Sequence, residues 1–260
     1  MSQFAVWDPH QYHRYEDLRL RPALELLSRI SIETPSLVHD IGTGGGEIAR
    51  MMALRWPGAR VIGSDSSREM LAKAAKTASS VEWRRLDLAD WQPEPEHDVI
   101  YGNAVLHWVG DHSSVFPRLM RGLVPGGELA VQMPMSWWQP SHQVIRETLA
   151  QLSGPVVETL AASMAEPNVH PPAHYYEILR PLTSNLDIWE STYHQMLSGE
   201  DPVFEWVSGS ILRPILTQLP AEEVAHFSVL CRRALREAYP AEPDGTTLFP
   251  FHRLFIVARR

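Results

Sequence analysis

The sequence predicts an α/β fold: a Rossmann-like sheet of seven strands, mostly parallel, with helices on both faces and a small helical cap. Three observations lead there. Helical and strand-like hydrophobic patterns alternate through the first half of the chain, as they do where crossover units build a parallel sheet. A glycine run, Gly42-Thr43-Gly44-Gly45-Gly46, stands between a short apolar strand and a helix. After about residue 135 the alternation gives way to proline-rich, helix-like segments that read as a cap, and two late strand-like segments then return to the sheet.

Taken in order, residues 21–30 carry apolar positions at helical spacing, with Pro22 tolerated in a first turn. Residues 37–41 read as a buried strand, the glycine run follows, and a helix over 47–55 stops before Pro57-Gly58. The unit repeats as a strand over 60–63, Asp65, and a helix over 67–78 with Ser66 or Ser67 as N-cap. Further strands are expected over 81–86, 98–101 and 128–133, the last one after the turn Pro125-Gly126-Gly127. A helix over 141–152 leads into a connection holding Pro155, Pro167, Pro171, Pro172 and Pro181. Strands over 186–193 and 253–258, with amphipathic helices over 203–219 and 221–239 between them, complete a sheet whose last strand is antiparallel. The expected division is 1–35 as an N-terminal helical segment covering the active site, 36–135 as a cofactor-binding core, 136–184 as a cap insertion and 185–260 as the part completing the sheet.

Composition narrows the function. The 260 residues, 44% hydrophobic and 21% charged, describe a globular chain of one or two domains. A net charge of −8 opposes a nucleic-acid backbone. The longest uncharged apolar stretch, 129–145, is broken by Pro134 and Pro140 and is no membrane span. The N-terminus has neither a basic nor an apolar targeting region, and Cys231 is the sole cysteine, so a reducing cytoplasm without disulfides is expected. His170 and His174 have ligand spacing, but Pro171 and Pro172 oppose the helix that would join them, and no metal is expected. Cys231 reads as a buried, inert thiol within a helix.

Chemistry concentrates at strand ends. Glycines permit positive φ and close approach of a ligand, and the new helix presents free N–H groups. A relaxed dinucleotide fingerprint fits the run as well, but Asp40 just before it would face a pyrophosphate unfavourably. An acid there suits an ammonium-bearing ligand, and S-adenosylmethionine carries both an α-ammonium and a sulfonium. Asp65 closes the second strand, where it can accept both ribose hydroxyls; Asp87 closes the third, where it can accept an adenine amine with Leu88 against the ring. Three acids on successive strand ends beside a glycine loop read as an S-adenosylmethionine-dependent methyltransferase. The segment Asn103-Ala104-Val105-Leu106-His107-Trp108 lacks the paired prolines common in enzymes that methylate nucleobase amines. His107 is a candidate catalytic base or hydrogen-bond donor, unless it packs on Trp108, and Trp137-Trp138 can wall a substrate pocket.

The chain resembles the trans-aconitate 2-methyltransferase family over nearly its whole length. The resemblance rests on Trp7-Asp8-Pro9 with Gln11-Tyr12, Arg19-Leu20-Arg21-Pro22, the glycine loop, Asp65-Ser66-Ser67, Asn103-Ala104, Gln132-Met133-Pro134, Pro140-Ser141-His142, Glu205-Trp206-Val207, Leu212-Arg213-Pro214, Ala238-Tyr239-Pro240, Asp244-Gly245 and Pro250-Phe251-His252-Arg253-Leu254-Phe255. It implies methyl transfer from S-adenosylmethionine to a carboxylate of a small polycarboxylic acid, with no metal. The cofactor set it implies is Tyr12, Asp40, Gly42, Thr43, Gly44, Gly46, Asp65, Ser66, Met70, Asp87, Leu88, Asn103 and Ala104. For the acceptor the resemblance marks Arg21, Arg213 and Arg253, and the reading of the residues themselves adds His107, Trp108 and Trp137. His107 stands where the family usually carries Gln, and Thr43-Gly44-Gly45-Gly46 where it usually carries Cys-Gly-Pro-Gly. The competing readings are O- or N-methylation of another small metabolite with His107 as base, a non-catalytic S-adenosylmethionine-binding regulator, and a nicotinamide dehydrogenase.

Overall fold

Short strands of apolar and β-branched residues form the centre of the fold. The structure, a computed structural model, describes residues 20–260. In chain order its elements are α1 (Leu20–Ser28), β1 (Leu37–Ile41), α2 (Glu47–Arg55), β2 (Arg60–Asp65), α3 (Arg68–Ala74), β3 (Glu82–Arg85), β4 (His97–Asn103), α4 (His112–Arg121), β5 (Leu123–Pro134), α5 (Pro140–Leu149), α6 (Pro155–Ser163), α7 (Pro172–Leu179), β6 (Asn185–Leu197), α8 (Pro202–Ser208), α9 (Leu212–Gln218), α10 (Ala221–Ala238) and β7 (Thr247–Arg259). One seven-stranded sheet results, in the order β3-β2-β1-β4-β5-β7-β6. β1 pairs in parallel with β2 and β4, β2 with β3, and β4 with β5. β7 is antiparallel to β5, because Gly126 N–H donates to the Arg260 carbonyl while Arg260 N–H donates to that of Gly127. The chain leaves β1 in one direction and returns as β4 on its other side, so a crevice opens at the carboxyl ends of these two strands.

By contacts the chain divides into two compact units. Among the described residues, the first holds 20–133 with Pro171–Glu190 and Leu254–Arg260. β1 is buried at every position, as expected of a strand covered on both faces. α1 buries Pro22, Ala23, Leu26 and Leu27, and the Tyr101 hydroxyl of β4 donates to the Ala23 carbonyl at 2.8 Å, pinning that helix to the sheet. α7 lies against α4, where Tyr175 and His112 share a 2.8 Å hydrogen bond beneath Phe116.

The second unit, Pro134–His170 with Ser191–Arg253, has its own apolar core. α10 packs on α5 and contributes Phe227, Cys231 and Leu235, with Ile145, Leu149, Val203, Phe204, Leu212 and Ile215 around them. Burial pushes the Cys231 thiol up to about 12, which makes it inert near neutrality. At the start of α8, Asp201 receives both Arg236 and Arg232, which hold its carboxyl below the ordinary range.

Three sequence expectations need correction. The connection through Pro155 and Pro172 contains two helices, because each proline occupies a first-turn position where its missing N–H costs nothing. The expectation for His170 and His174 needs none: α7 begins at Pro172 and leaves His170 outside, so the two histidines do not share a helix. The helix expected over 203–219 is two, α8 and α9. Residues 125–127 lie inside β5 as an irregularity, since His97 pairs with Leu123 but Val99 pairs with Glu128.

Candidate functional site

The loop from β1 to α2 is built on backbone that glycine alone adopts freely. Gly42, Gly44 and Gly46 have φ of 68°, 56° and 79°. A Cβ on Gly42 would stand 2.2 Å from Val105 Cγ2, and one on Gly46 would stand 2.3 Å from the Trp83 ring. On Gly44 it would meet nothing within 4 Å. Packing of protein on protein therefore dictates the outer two glycines, while the middle one borders open space. Thr43 N–H donates to the Ser64 carbonyl and Gly46 N–H to that of Thr43, which fixes the loop against β2. Gly46, at the N-cap of α2, has no side chain to close the helix start, and in the first turn the Ala49 N–H is taken by the Asp40 carboxyl, so only the N–H groups ahead of it can serve a polar ligand.

Asp40 lies beneath this loop, 3% exposed, and its Oδ2 accepts the Thr43 hydroxyl at 2.5 Å. Burial pushes its carboxyl from 3.8 up to about 7; the Thr43 hydrogen bond opposes the shift, and the charges of Asp65 and Glu47 add to it. An acid so placed gains most from a cation supplied by a ligand. Asp65, the last residue of β2, accepts from Gly44 N–H at 3.0 Å and from Ser67 N–H at 2.8 Å. Each of its oxygens keeps lone-pair capacity for a further hydroxyl. Ser67, not Ser66, caps α3, accepting from Met70 N–H. Ser66 and the Met70 side chain are exposed beside it.

Asp87 lies two residues past β3, exposed, and accepts from Ala89 N–H at 3.0 Å. Leu88 is buried, and its carbonyl accepts from Arg118 at 2.7 Å. Asn103 ends β4, and Ala104 turns the chain at φ 52° so that Val105 covers Gly42. One hydrogen-bonded group thus unites Asp40, Thr43, Gly44 and Asp65, and Asn103 and Ala104 adjoin it through the pairing of β4 with β1.

The expected acceptor residues fall in both units. In the first, Arg21 is exposed on α1, His107 is partly buried, and Trp108 stands beside it, 63% exposed with ring centroids 4.7 Å apart. In the second, Arg213 is exposed on α9, while Arg253 is buried with its guanidinium 4.3 Å from the Phe251 ring centre. Trp137 is held by a hydrogen bond to the Met164 carbonyl and by Arg146, whose guanidinium stacks 4.0 Å from its ring centre. Trp138 meets Trp137 edge-on and stays 44% exposed. Tyr12 lies outside the described residues.

Sequence reasoning missed Trp83, Val105 and Arg146. Trp83 was recoverable: it pairs in register with Gly63, and a bulky side chain beside a bare strand position covers it. Val105 and Arg146 leave no such local trace, because their partners are brought close only by the fold. Among the described residues no group of three His, Cys, Asp or Glu is placed to hold a metal ion. None of the described helices is long and apolar enough to cross a membrane.

Comparison with known proteins adds an independent line. The methyltransferase-domain family matches residues 38–127, from β1 into β5. Over nearly the full chain the sequence is similar to the trans-aconitate 2-methyltransferase of Azoarcus sp. strain BH72, 41% identical across 98% of this chain and 99% of the relative. It is 43% identical to that of Streptomyces avermitilis (98% and 97% covered) and 40% identical to that of Mycobacterium tuberculosis (97% and 96%). The fold is similar to that of the YcgJ protein of Bacillus subtilis, at 15% identity and a TM-score of 0.57 over 92% of this chain and 97% of that one. It is also similar to phosphoethanolamine N-methyltransferase 2 of Haemonchus contortus in complex with S-adenosyl-L-methionine, at 18% identity and 0.52 over 91% and 52%.

Proposed function

Because the chain belongs to the trans-aconitate 2-methyltransferase family and is an S-adenosylmethionine-dependent methyltransferase, we propose that it O-methylates one carboxylate of a small polycarboxylic acid such as trans-aconitate. Bound S-adenosylmethionine supplies an electrophilic methyl group on a sulfonium. The acceptor carboxylate contributes the electron pair of the new C–O bond, that of the broken S–CH3 bond stays on sulfur, and the products are the methyl ester and S-adenosylhomocysteine.

The chain's own residues do the holding. Asp40 takes the α-ammonium, the 42–46 loop passes the methionine portion, Asp65 takes the ribose hydroxyls, and Asp87 with Leu88 takes the adenine; Ser66, Met70, Asn103 and Ala104 line the same cofactor. Arg213, Arg253 and Arg21 hold the carboxylates that are not methylated, since a guanidinium fork matches a carboxylate bidentately. His107, Trp108 and Trp137 shape the space around the acceptor. An acid with a carboxyl pKa near 4 is already ionised at neutral pH, so this reaction needs alignment and exclusion of water but no base. The reading also makes the enzyme cytoplasmic, acting on a diffusible acid without nucleic acid or membrane.

The observation that carries the proposal is identity of 41% and 40% to two trans-aconitate 2-methyltransferases, each over 98% of this chain. Purified protein incubated with S-adenosylmethionine and a panel of di- and tricarboxylates, together with hydroxyl and amine metabolites, tests it by mass spectrometry. Gain of one methyl group on a polycarboxylate is expected. Methylation confined to hydroxyl or amine compounds would overturn the carboxylate assignment and bring forward His107 as a base.

A further inference from the structure

A buried side-chain oxygen at the end of β4 has no task in the fold. The Oδ1 of Asn103 is fully inaccessible and accepts no hydrogen bond among the described residues. An amide oxygen stripped of water without a donor is costly, and native proteins keep few of them. Its surroundings show that this one is held deliberately. Asn103 is in register with Gln132 of β5, and the Ala104 N–H donates to the Gln132 carbonyl at 2.9 Å. Ala104 then adopts φ 52°, an unfavourable conformation for a residue with a Cβ, and this turn lays Val105 over Gly42.

Strand geometry says where the oxygen lies. Side chains on a strand alternate, so Asn103 shares a face with Tyr101, two residues earlier. Tyr101 is in register with Asp40 on β1, which puts Asp40 on that face as well. Asn103 therefore stands beyond Asp40 toward the carboxyl ends of the strands, where ligands of such sheets bind. Asp40, a buried acid, is the better partner for an ammonium. A neutral oxygen further out suits a weaker, polarised donor, and the C–H groups of a sulfonium methyl are such donors.

We infer that Asn103 reads the transferable methyl group of S-adenosylmethionine: its Oδ1 accepts the polarised C–H groups of the sulfonium methyl, favouring the methyl donor over the demethylated product. This rests on the cofactor placement proposed above. The contact belongs to the weak class of C–H···O interactions, so one residue changes the balance between the two ligands without deciding whether they bind. It also orients the methyl carbon, which is what an alignment-driven transfer requires.

Calorimetry separates these roles, because S-adenosylhomocysteine has the same ammonium, ribose and adenine but no sulfonium methyl. In Asn103→Leu, which removes the oxygen at similar size, affinity for S-adenosylmethionine should fall about two- to fivefold, the scale of one C–H···O contact, and that for S-adenosylhomocysteine should stay put. The ligand-free variant should melt no lower than the parent, since an unsatisfied buried oxygen has been deleted; Asn103→Ala repeats the measurement with less bulk. Equal losses for both ligands, no change in either, or a variant that unfolds with either substitution would overturn the inference. Failure of the parent protein to bind either ligand would instead sink the cofactor placement on which it rests.

Discussion

Replacing Asp40 by Asn tests the cofactor site from two directions at once. The carboxyl sits almost wholly buried, and the charged groups it feels, Asp65 at the end of β2 and Glu47 on α2, are both acids. Thr43 and the Ala49 backbone donate to it, and Tyr101 on β4 is close enough that Asp40 helps push its phenol up. Burial first, then those charges, raise the carboxyl from 3.8 to about 7 against the two hydrogen bonds. A raised acid contributes stability that is complete below its unfolded value and lost as pH climbs through its folded one. Over that window the loss reaches on the order of 4 kcal/mol at 1.36 kcal/mol per pH unit. Ligand-free Asp40→Asn should therefore melt higher than the parent at pH 8 and no higher at pH 4. Binding of a cationic ligand needs the carboxylate, so the parent's affinity for S-adenosylmethionine should weaken about tenfold from pH 8 to pH 6, as a group titrating near 7 requires. The variant should bind more weakly, by about 1.5–3 kcal/mol for a lost charged hydrogen bond, and its profile should lack that limb. The ligand's own amine titrates in both proteins, so the difference between the profiles isolates Asp40. Parallel profiles, or a variant that melts lower at pH 8, would refute the reasoning.

The glycines separate binding from stability. Gly44→Ala carries about 1–2 kcal/mol of left-handed strain but meets no protein atom, so it should melt slightly lower and lose most cofactor affinity, whereas Gly46→Ala must displace Trp83 and should melt much lower; equal melting losses would contradict this. His39, on β1, is held down to about 3 by burial and by His97, its hydrogen-bond partner at 3.3 Å, so its stability contribution is complete above pH 6.5 and shrinks as pH falls toward 3. Urea unfolding should show it costing about 2–3 kcal/mol between pH 7 and 4.5, and a His39→Asn variant with the same pH slope would exclude this source. His107→Gln, which installs the residue usual in the family, should leave kcat within about tenfold and add no new limb to the pH profile, because a carboxylate acceptor needs no base. A fall of a hundredfold or more in a folded, cofactor-binding variant is the size of a lost general base and would count against carboxylate methylation.

The sheet was legible in the sequence where burial imposes a pattern. β1, the glycine loop and α2 were readable because a short, mostly apolar run, a cluster of glycines and a helical pattern follow one another directly. The acids Asp40 and Asp65 stood out because each interrupts or closes such a strand. Proline was the main source of error. Pro155 and Pro172 read as breakers inside a connection, yet each opens a helix, and only the free N–H positions of a first turn distinguish those roles. The irregularity in β5 was hidden for a related reason: a Pro-Gly-Gly triplet reads as a turn, and its place within a strand depends on the facing His97 carbonyl, 2.9 Å from a Cβ placed on Gly127. The acceptor side gave less. An arginine offered to a ligand and one that stacks on an aromatic have the same local sequence, and Arg146 over Trp137 differs from the exposed Arg213 only in what the fold places beside it.

The described half of the site contains fixed acceptors and little that moves a proton. Asp65 is immobilised by two backbone N–H groups, Asp40 by a hydroxyl, and the loop between them by its own hydrogen bonds. Such a site is preorganised before the ligand arrives, so binding energy need not be spent on ordering it. That economy suits a reaction whose nucleophile is already charged and whose leaving group is a neutral thioether: neither partner needs a proton delivered or removed. The cost falls on the free protein, which keeps a raised carboxyl at Asp40 and an unsatisfied oxygen at Asn103. Under the proposed placement both groups are relieved by the same kind of ligand, one positive at its ammonium and at its methyl, and for that reason substitutions that stabilise the empty protein at either position should weaken its hold on S-adenosylmethionine.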